Sequence, residues 1–197
     1  MAPALWPTQP YRHPDLEERF QPPENLQFFS LDRGSYALRY AVCNNQDAKA
    51  LIMICPGLRR PIEGLYELMC QLLDAGYSVA CIDWRGQGES PRYYEEDYDL
   101  RGSDGFDHDV NDLMAWVNTL KKHHDMADLP IYGFAHSMGA NILAHGCMQD
   151  PGLVERTVFC APMMGITTPV LGSGPVRLLA RLMMRMGLGH SYVPGHK

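Results

Sequence analysis

Two short runs rich in aromatic and apolar residues, 26–31 and 36–42, flank Asp32-Arg33-Gly34-Ser35. The glycine there can take the positive φ of a tight turn, so the pair is expected to be an antiparallel hairpin. The pattern then changes. Residues 50–55 (ALIMIC) form a nearly continuous apolar run, and 78–83 (SVACID) form another. Such runs suit strands covered on both faces. Between them Leu65, Leu68, Met69, Leu72 and Leu73 recur at i, i+3, i+4, i+7 and i+8, with Gly76 just beyond. This spacing predicts an amphipathic helix ended by a glycine. After a long polar loop, 84–105, the residues Phe106, Val110, Leu113, Met114 and Val117 mark a second helical stripe. A strand at 131–134, a helix at 138–148 and a strand at 156–160 complete a β-α-β-α-β-α-β alternation. That order implies a parallel sheet with helices on both faces.

Two segments fall outside this rhythm. Residues 1–23 are rich in proline and are expected to form an arm laid over the surface, with ordered secondary structure starting only after Pro23. Near the other end, Arg177, Arg181 and Arg185 stand four apart on a helix predicted over 175–188. Leu178, Leu179, Leu182, Met183 and Met186 cover most of the rest of its circumference.

Composition narrows the class. With 46% hydrophobic and 20% charged residues in 197, one domain with one sizeable core is expected. A net charge of −6 without a basic cluster argues against nucleic acid as a partner. No apolar run near the N-terminus suits a signal peptide or a membrane span, so a cytoplasmic protein is expected. The six cysteines form no CxxC pair and show no zinc-ligand spacing with histidine, so they read as reduced core residues, with no metal and no cofactor.

The candidate chemistry lies in Gly133-Phe-Ala-His-Ser137-Met-Gly139-Ala. A serine between a strand and a helix, with small residues two before and two after, has the spacing of a nucleophile elbow. Serines among small residues also serve as plain helix caps. Here Ala135 and Gly139 fill the two positions where a larger side chain would make strand and helix collide. Such a turn lifts the hydroxyl clear of the sheet and aims the first amides of the following helix at an oxyanion. Met138 would supply one amide. The loop after the first parallel strand, Cys55-Pro-Gly-Leu58-Arg, would supply a second from Leu58, because Gly57 lets the backbone swing inward.

Asp83-Trp-Arg-Gly-Gln-Gly-Glu-Ser90, followed by Ala-His-Ser137-Met-Gly, resembles the monoacylglycerol lipase and bacterial lysophospholipase branch of the α/β-hydrolases, with its serine aminopeptidase-like domain. The similarity runs from about Leu26 to the C-terminus. It implies an α/β-hydrolase fold with about six of eight strands in a core over 24–161, and a helical cap beginning over 162–197. It implies hydrolysis of a small lipid-like ester through an acyl-enzyme on Ser137. A cap bearing the arginine stripe would allow peripheral membrane contact. Ala135 and Ala140 replace glycines usual in the branch, and Pro56 stands where a histidine usually precedes the loop glycine. The triad acid follows the seventh strand of the superfamily and the histidine the eighth, so both are expected outside these residues. The chain is then expected to be a fragment, inactive alone. The alternative is a non-catalytic hydrolase-like binding or interaction protein. Acyl-chain length, leaving group and oligomeric state stay open.

The other candidates read as structural. His136 is expected to pack under the loop and His145 to lie along a helix leading away from the site. His190 and His196 follow no strand, and the acids between the serine and them, Asp150 among them, follow no strand placed for a triad acid either. Asp83, by the resemblance, holds the turn over 85–88 through side-chain hydrogen bonds. Asp107, Asp109 and Asp112 suit a helix's first turns, and the acidic run of Glu95, Glu96, Asp97 and Asp99 suits a solvated loop.

Overall fold

A computed structural model of the chain describes residues 3–94, 102–103, 105–123, 126, 128–165 and 173–189. Six strands form one sheet in the order β1-β2-β4-β3-β5-β6. The hairpin β1 (Gln27–Asp32) and β2 (Ala37–Cys43) is antiparallel, and β2 pairs antiparallel with β4 (Ser78–Ile82). From there β4, β3 (Leu51–Cys55), β5 (Ile131–His136) and β6 (Arg156–Cys160) run parallel. Gly34 has φ 81° in the hairpin turn, and its amide donates to the Asp32 carboxylate at 2.7 Å.

Every residue of β3 and β4 is buried, as an apolar run covered on both faces requires. On one face α1 (Tyr66–Asp74) packs through Tyr66 and Met69 on Ile52, Ile54, Val79 and Cys81. On the other face α2 (Phe106–Lys122) and α3 (Met138–Gln149) bury Leu113, Trp116, Leu120, Ile142 and Leu143 against Met53, Ala80 and Ile82. The six cysteines are free thiols, three of them buried.

The arm is better ordered than expected. Leu5 forms an antiparallel bridge to Phe29, and a 3-10 turn spans Glu18–Phe20, so secondary structure begins well before Pro23. The Trp6 amide donates to the Phe28 carbonyl at 2.9 Å and the Ser30 amide to the Ala4 carbonyl at 2.8 Å, and side-chain amides add to these main-chain bonds. Gln9 accepts from the Phe28 amide and donates to its carbonyl, both at 3.2 Å, like one more residue of a neighbouring strand. The Gln21 side chain donates to the carbonyls of His13 and Leu16 and accepts from the His13 amide. The arm thereby covers an otherwise open sheet edge.

Asp112 does more than favour the start of a helix. It is 2% exposed and accepts from Arg33 Nε at 2.6 Å and from the Tyr36 hydroxyl at 2.9 Å, tying α2 to the hairpin. Asp109 is buried as well.

At the opposite edge four of the five residues of β6 are exposed, Val158 and Phe159 among them. The last described helix, α4 (Ser173–Arg185), starts two residues before its expected start and ends three short of the expected end. Leu178, Leu179, Leu182, Met184 and Met186 on and beside it are exposed. No helix among the described residues is long and apolar enough to cross a membrane. Residues 95–101, with the acidic run at Glu95–Asp99, and residues 190–197, with His190 and His196, lie outside the described residues, as does 166–172.

Candidate active site

Ser137 sits where β5 passes into α3, at φ 51° and ψ −115°. A non-glycine residue in that region is strained, and strain of this kind clusters at functional sites. The surroundings fix it there. The Ser137 amide donates to the Cys160 carbonyl at 3.1 Å, and its carbonyl accepts from the amides of Met163 and Asn141 at 3.1 and 3.2 Å. Asn141 Nδ2 then donates to the Met163 carbonyl at 2.9 Å, so the chain leaving β6 is fastened over the elbow.

Gly139 explains the close approach of α3 to the sheet. A Cβ there would stand 2.2 Å from the Cys55 carbonyl oxygen and 2.5 Å from that of Pro56. Gly57 is confined in the same way. Its Cβ would lie 2.7 Å from His136 Nδ1 and 3.1 Å from Ser137 Cβ. The loop after β3 therefore lies directly on the elbow, with Leu58 next to it. Among the described residues, neither the Leu58 amide nor the Met138 amide donates a hydrogen bond. Both residues line one cleft of about 220 Å³, together with Arg85, Tyr93, Phe106 and Asp109.

The loop is pinned from below by the 83–90 turn. Trp84 Nε1 donates to the Pro56 carbonyl at 3.0 Å. The Gln87 side-chain oxygen accepts from the Arg59 amide, and Asp83 Oδ1 accepts from the Ile62 amide at 3.1 Å. Arg59 itself has φ 63°, one of four non-glycine residues at positive φ among the described residues, with Asn25, Ser137 and Ala161. With Trp84 under its carbonyl, Pro56 replaces the usual histidine without leaving the loop unbraced. Asp83 does hold the turn, through the Glu89 amide at 3.1 Å, and Gly88 passes so close that a Cβ would overlap the carboxylate.

Sequence reasoning missed Arg39. Its side chain is 1% exposed, and Nε donates to Asp83 Oδ2 at 2.7 Å. The available signal was a lone cation in the middle of an apolar strand, which burial makes costly unless it is paired. Burial pushes the Asp83 carboxyl up to about 6 from its ordinary 3.8, against the pull of Arg39. From about pH 4 to pH 6 the folded chain holds a proton at Asp83 that the unfolded chain has released. This group's contribution to stability therefore falls as pH rises through that window and is largest below it. A 13C titration of the Asp83 carboxyl carbon is expected to show a midpoint near 6; a midpoint below 4 would refute the assignment.

His136 is exposed rather than packed under the loop, with its ring resting beside Gly57, because adjacent residues on a sharp elbow diverge. His145 is exposed on α3, as a helix-surface histidine should be. No histidine among the described residues hydrogen-bonds to the Ser137 hydroxyl. Nor does any group of three or more His, Cys, Asp or Glu among them have the arrangement of a metal site.

The model of the serine aminopeptidase S33 family matches residues 46–193, three-quarters of the chain. The chain belongs to that family. Lysophospholipase L2 of Escherichia coli strain K12 is 31% identical over 130 residues, which cover 66% of this chain and 37% of that protein. The chain thus spans well under half of this curated relative. A thermostable carboxyl esterase from Bacillus coagulans superposes with a TM-score of 0.66 at 16% identity, covering 84% of this chain and 52% of the other. A monoglyceride lipase from Saccharomyces cerevisiae gives a TM-score of 0.65 at 19% identity, covering 91% and 55%. These likenesses establish a mostly parallel α/β-hydrolase sheet, incomplete in this chain.

Proposed function

We propose that the chain carries the nucleophile and the oxyanion hole of a serine hydrolase acting on lipid-like carboxylic esters. The observation that carries this reading is the strained Ser137, followed directly by Met138 and lying against the loop of Gly57 and Leu58, with the amides of Leu58 and Met138 donating to no acceptor among the described residues. In the reaction Ser137 Oγ attacks the ester carbonyl carbon, and the negative charge that develops on the carbonyl oxygen is taken up by the two amides. A histidine from outside these 197 residues, oriented by an acid also outside them, accepts the serine proton and passes it to the leaving alkoxide. Water then hydrolyses the acyl-serine by the same route in reverse. Without those two groups the 197 residues alone are inactive.

The core of this hydrolase spans 24–161, behind an arm over 1–23, and a cap begins over 162–197. The substrate is a lysophospholipid or a monoacylglycerol, in keeping with the curated relative and the lipase neighbour. The protein works in the cytoplasm and meets the membrane peripherally through α4. That helix carries Arg177, Arg181 and Arg185 on one stripe and exposed Leu178, Leu179 and Leu182 on another face, the layout of an interfacial helix.

The test compares the polypeptide of the full reading frame with an Arg177→Glu/Arg181→Glu/Arg185→Glu variant on a soluble short-chain ester and on anionic lysophospholipid micelles. Each arginine near an anionic surface is worth about 1 kcal/mol. Activity on micelles is therefore expected to fall by roughly a hundredfold, with the short ester almost unaffected. Equal loss on both substrates, or none on either, would overturn the membrane contact. No turnover of either ester by the unmodified protein would overturn the esterase reading.

A further inference from the structure

We propose that Arg39 is a positioning residue for the oxyanion loop: its buried guanidinium gathers three carboxylates from separate segments, Asp83 buried and Glu63 and Glu89 partly exposed, and so holds the loop that presents Leu58. This rests on the reading that the Leu58 amide is an oxyanion donor. Arg39 stands in β2, on a strand that does not touch Ser137, and its link to the site runs through the cluster.

An arginine cannot escape burial by losing its proton, so a 1%-exposed guanidinium demands anions. Asp83 at the end of β4 takes Nε at 2.7 Å. Glu63, in the 3-10 turn Ile62–Leu65 directly after the loop, takes Nη2 at 3.0 Å and lies 2.8 Å from Nη1. Glu89 of the 83–90 turn lies 3.3 Å from Nη1. The ring of Phe28 covers the guanidinium at 4.6 Å. Trp6 of the arm donates to Glu89 Oε2 at 3.1 Å, so the N-terminal segment joins the same cluster.

Two of these anions hold the loop itself. Asp83, fixed by Arg39, accepts the Ile62 amide through its other oxygen, and Glu63 is the next residue along. The loop must be held because Arg59 is strained and would relax to negative φ if freed. The turn bearing Gln87, which accepts the Arg59 amide, is tied to the cluster through Asp83 and Glu89. Removing the cation leaves three carboxylates facing one another and releases the far end of the loop. Among the described residues the other charged groups around this cluster are Arg59 and Arg92, which line the same small cleft.

The test reads amide hydrogen exchange in the 197-residue chain, which needs no catalysis and stays informative if the esterase reading fails. In Arg39→Lys, an ammonium cannot span three carboxylates, and the Ile62 and Arg59 amides are expected to exchange roughly tenfold or more faster relative to those of Met53 and Ile54 in β3. Glu63→Gln serves if Arg39→Lys fails to fold, because Glu63 is 43% exposed and Asp83 and Glu89 still face the cation. The same loop-confined acceleration is expected there, and in Glu63→Asp it should be smaller. Equal acceleration in loop and sheet would mean a merely structural arginine and would overturn the proposal, as would unchanged loop exchange in Glu63→Gln. In the active full-length protein the matching signature is a fall in kcat of at least about tenfold with KM nearly unchanged. A fall confined to KM would equally overturn the positioning role.

Discussion

Replacing Gly139 by alanine is expected to cost the chain about 3 kcal/mol or more, the upper end of what overpacking usually does. The added methyl would meet two backbone oxygens, of Cys55 at 2.2 Å and of Pro56 at 2.5 Å, with no flexible side chain to give way. Relief requires moving α3 off the sheet or bending the end of β3, which pairs with both β4 and β5. Either movement also separates the Met138 amide from the Leu58 loop, so stability and any serine-dependent activity should fall together. Gly174→Ala in α4 is the control, since nothing lies within 4 Å of a Cβ there. Urea unfolding of the two variants checks the claim. A Gly139→Ala midpoint within error of the Gly174→Ala midpoint would mean that the close approach of helix and strand is not a constraint.

Much of the architecture was readable in the sequence because the forces behind it are local. The apolar runs at β3 and β4 report burial on both faces directly, and the i, i+3, i+4 spacing of α1 and α2 reports one buried face. The Ser137 elbow was legible for the same reason, since small residues at 135 and 139 state how close strand and helix must come. What was missed depends on partners far apart in the chain. The arm owes its order to main-chain bonds of Ala4 and Trp6 to β1 and to the side-chain amides of Gln9 and Gln21, none of which propensity weighs. Arg39 meets Asp83 across 44 positions and Asp112 meets Arg33 across 79, and neither pairing leaves a periodic trace.

The larger effect expected is chemical. An unassisted serine hydroxyl is a poor nucleophile near neutral pH, and Ser137 has no base among the described residues. Its placement matters only when a histidine reaches it, and then almost all turnover should depend on this one oxygen. Loss of the nucleophile of a serine protease removes on the order of a millionfold in kcat. In the polypeptide of the full reading frame, Ser137→Ala is therefore expected to abolish measurable ester turnover, while the 197 residues alone hydrolyse esters no faster than their own Ser137→Ala variant. The most direct measurement is covalent. The full-frame protein is treated with a fluorophosphonate probe, digested and mapped by mass spectrometry. The expected result is one phosphonylated residue, Ser137, with no labelling in Ser137→Ala. Labelling of another serine, or ester turnover that survives Ser137→Ala, would contradict the account.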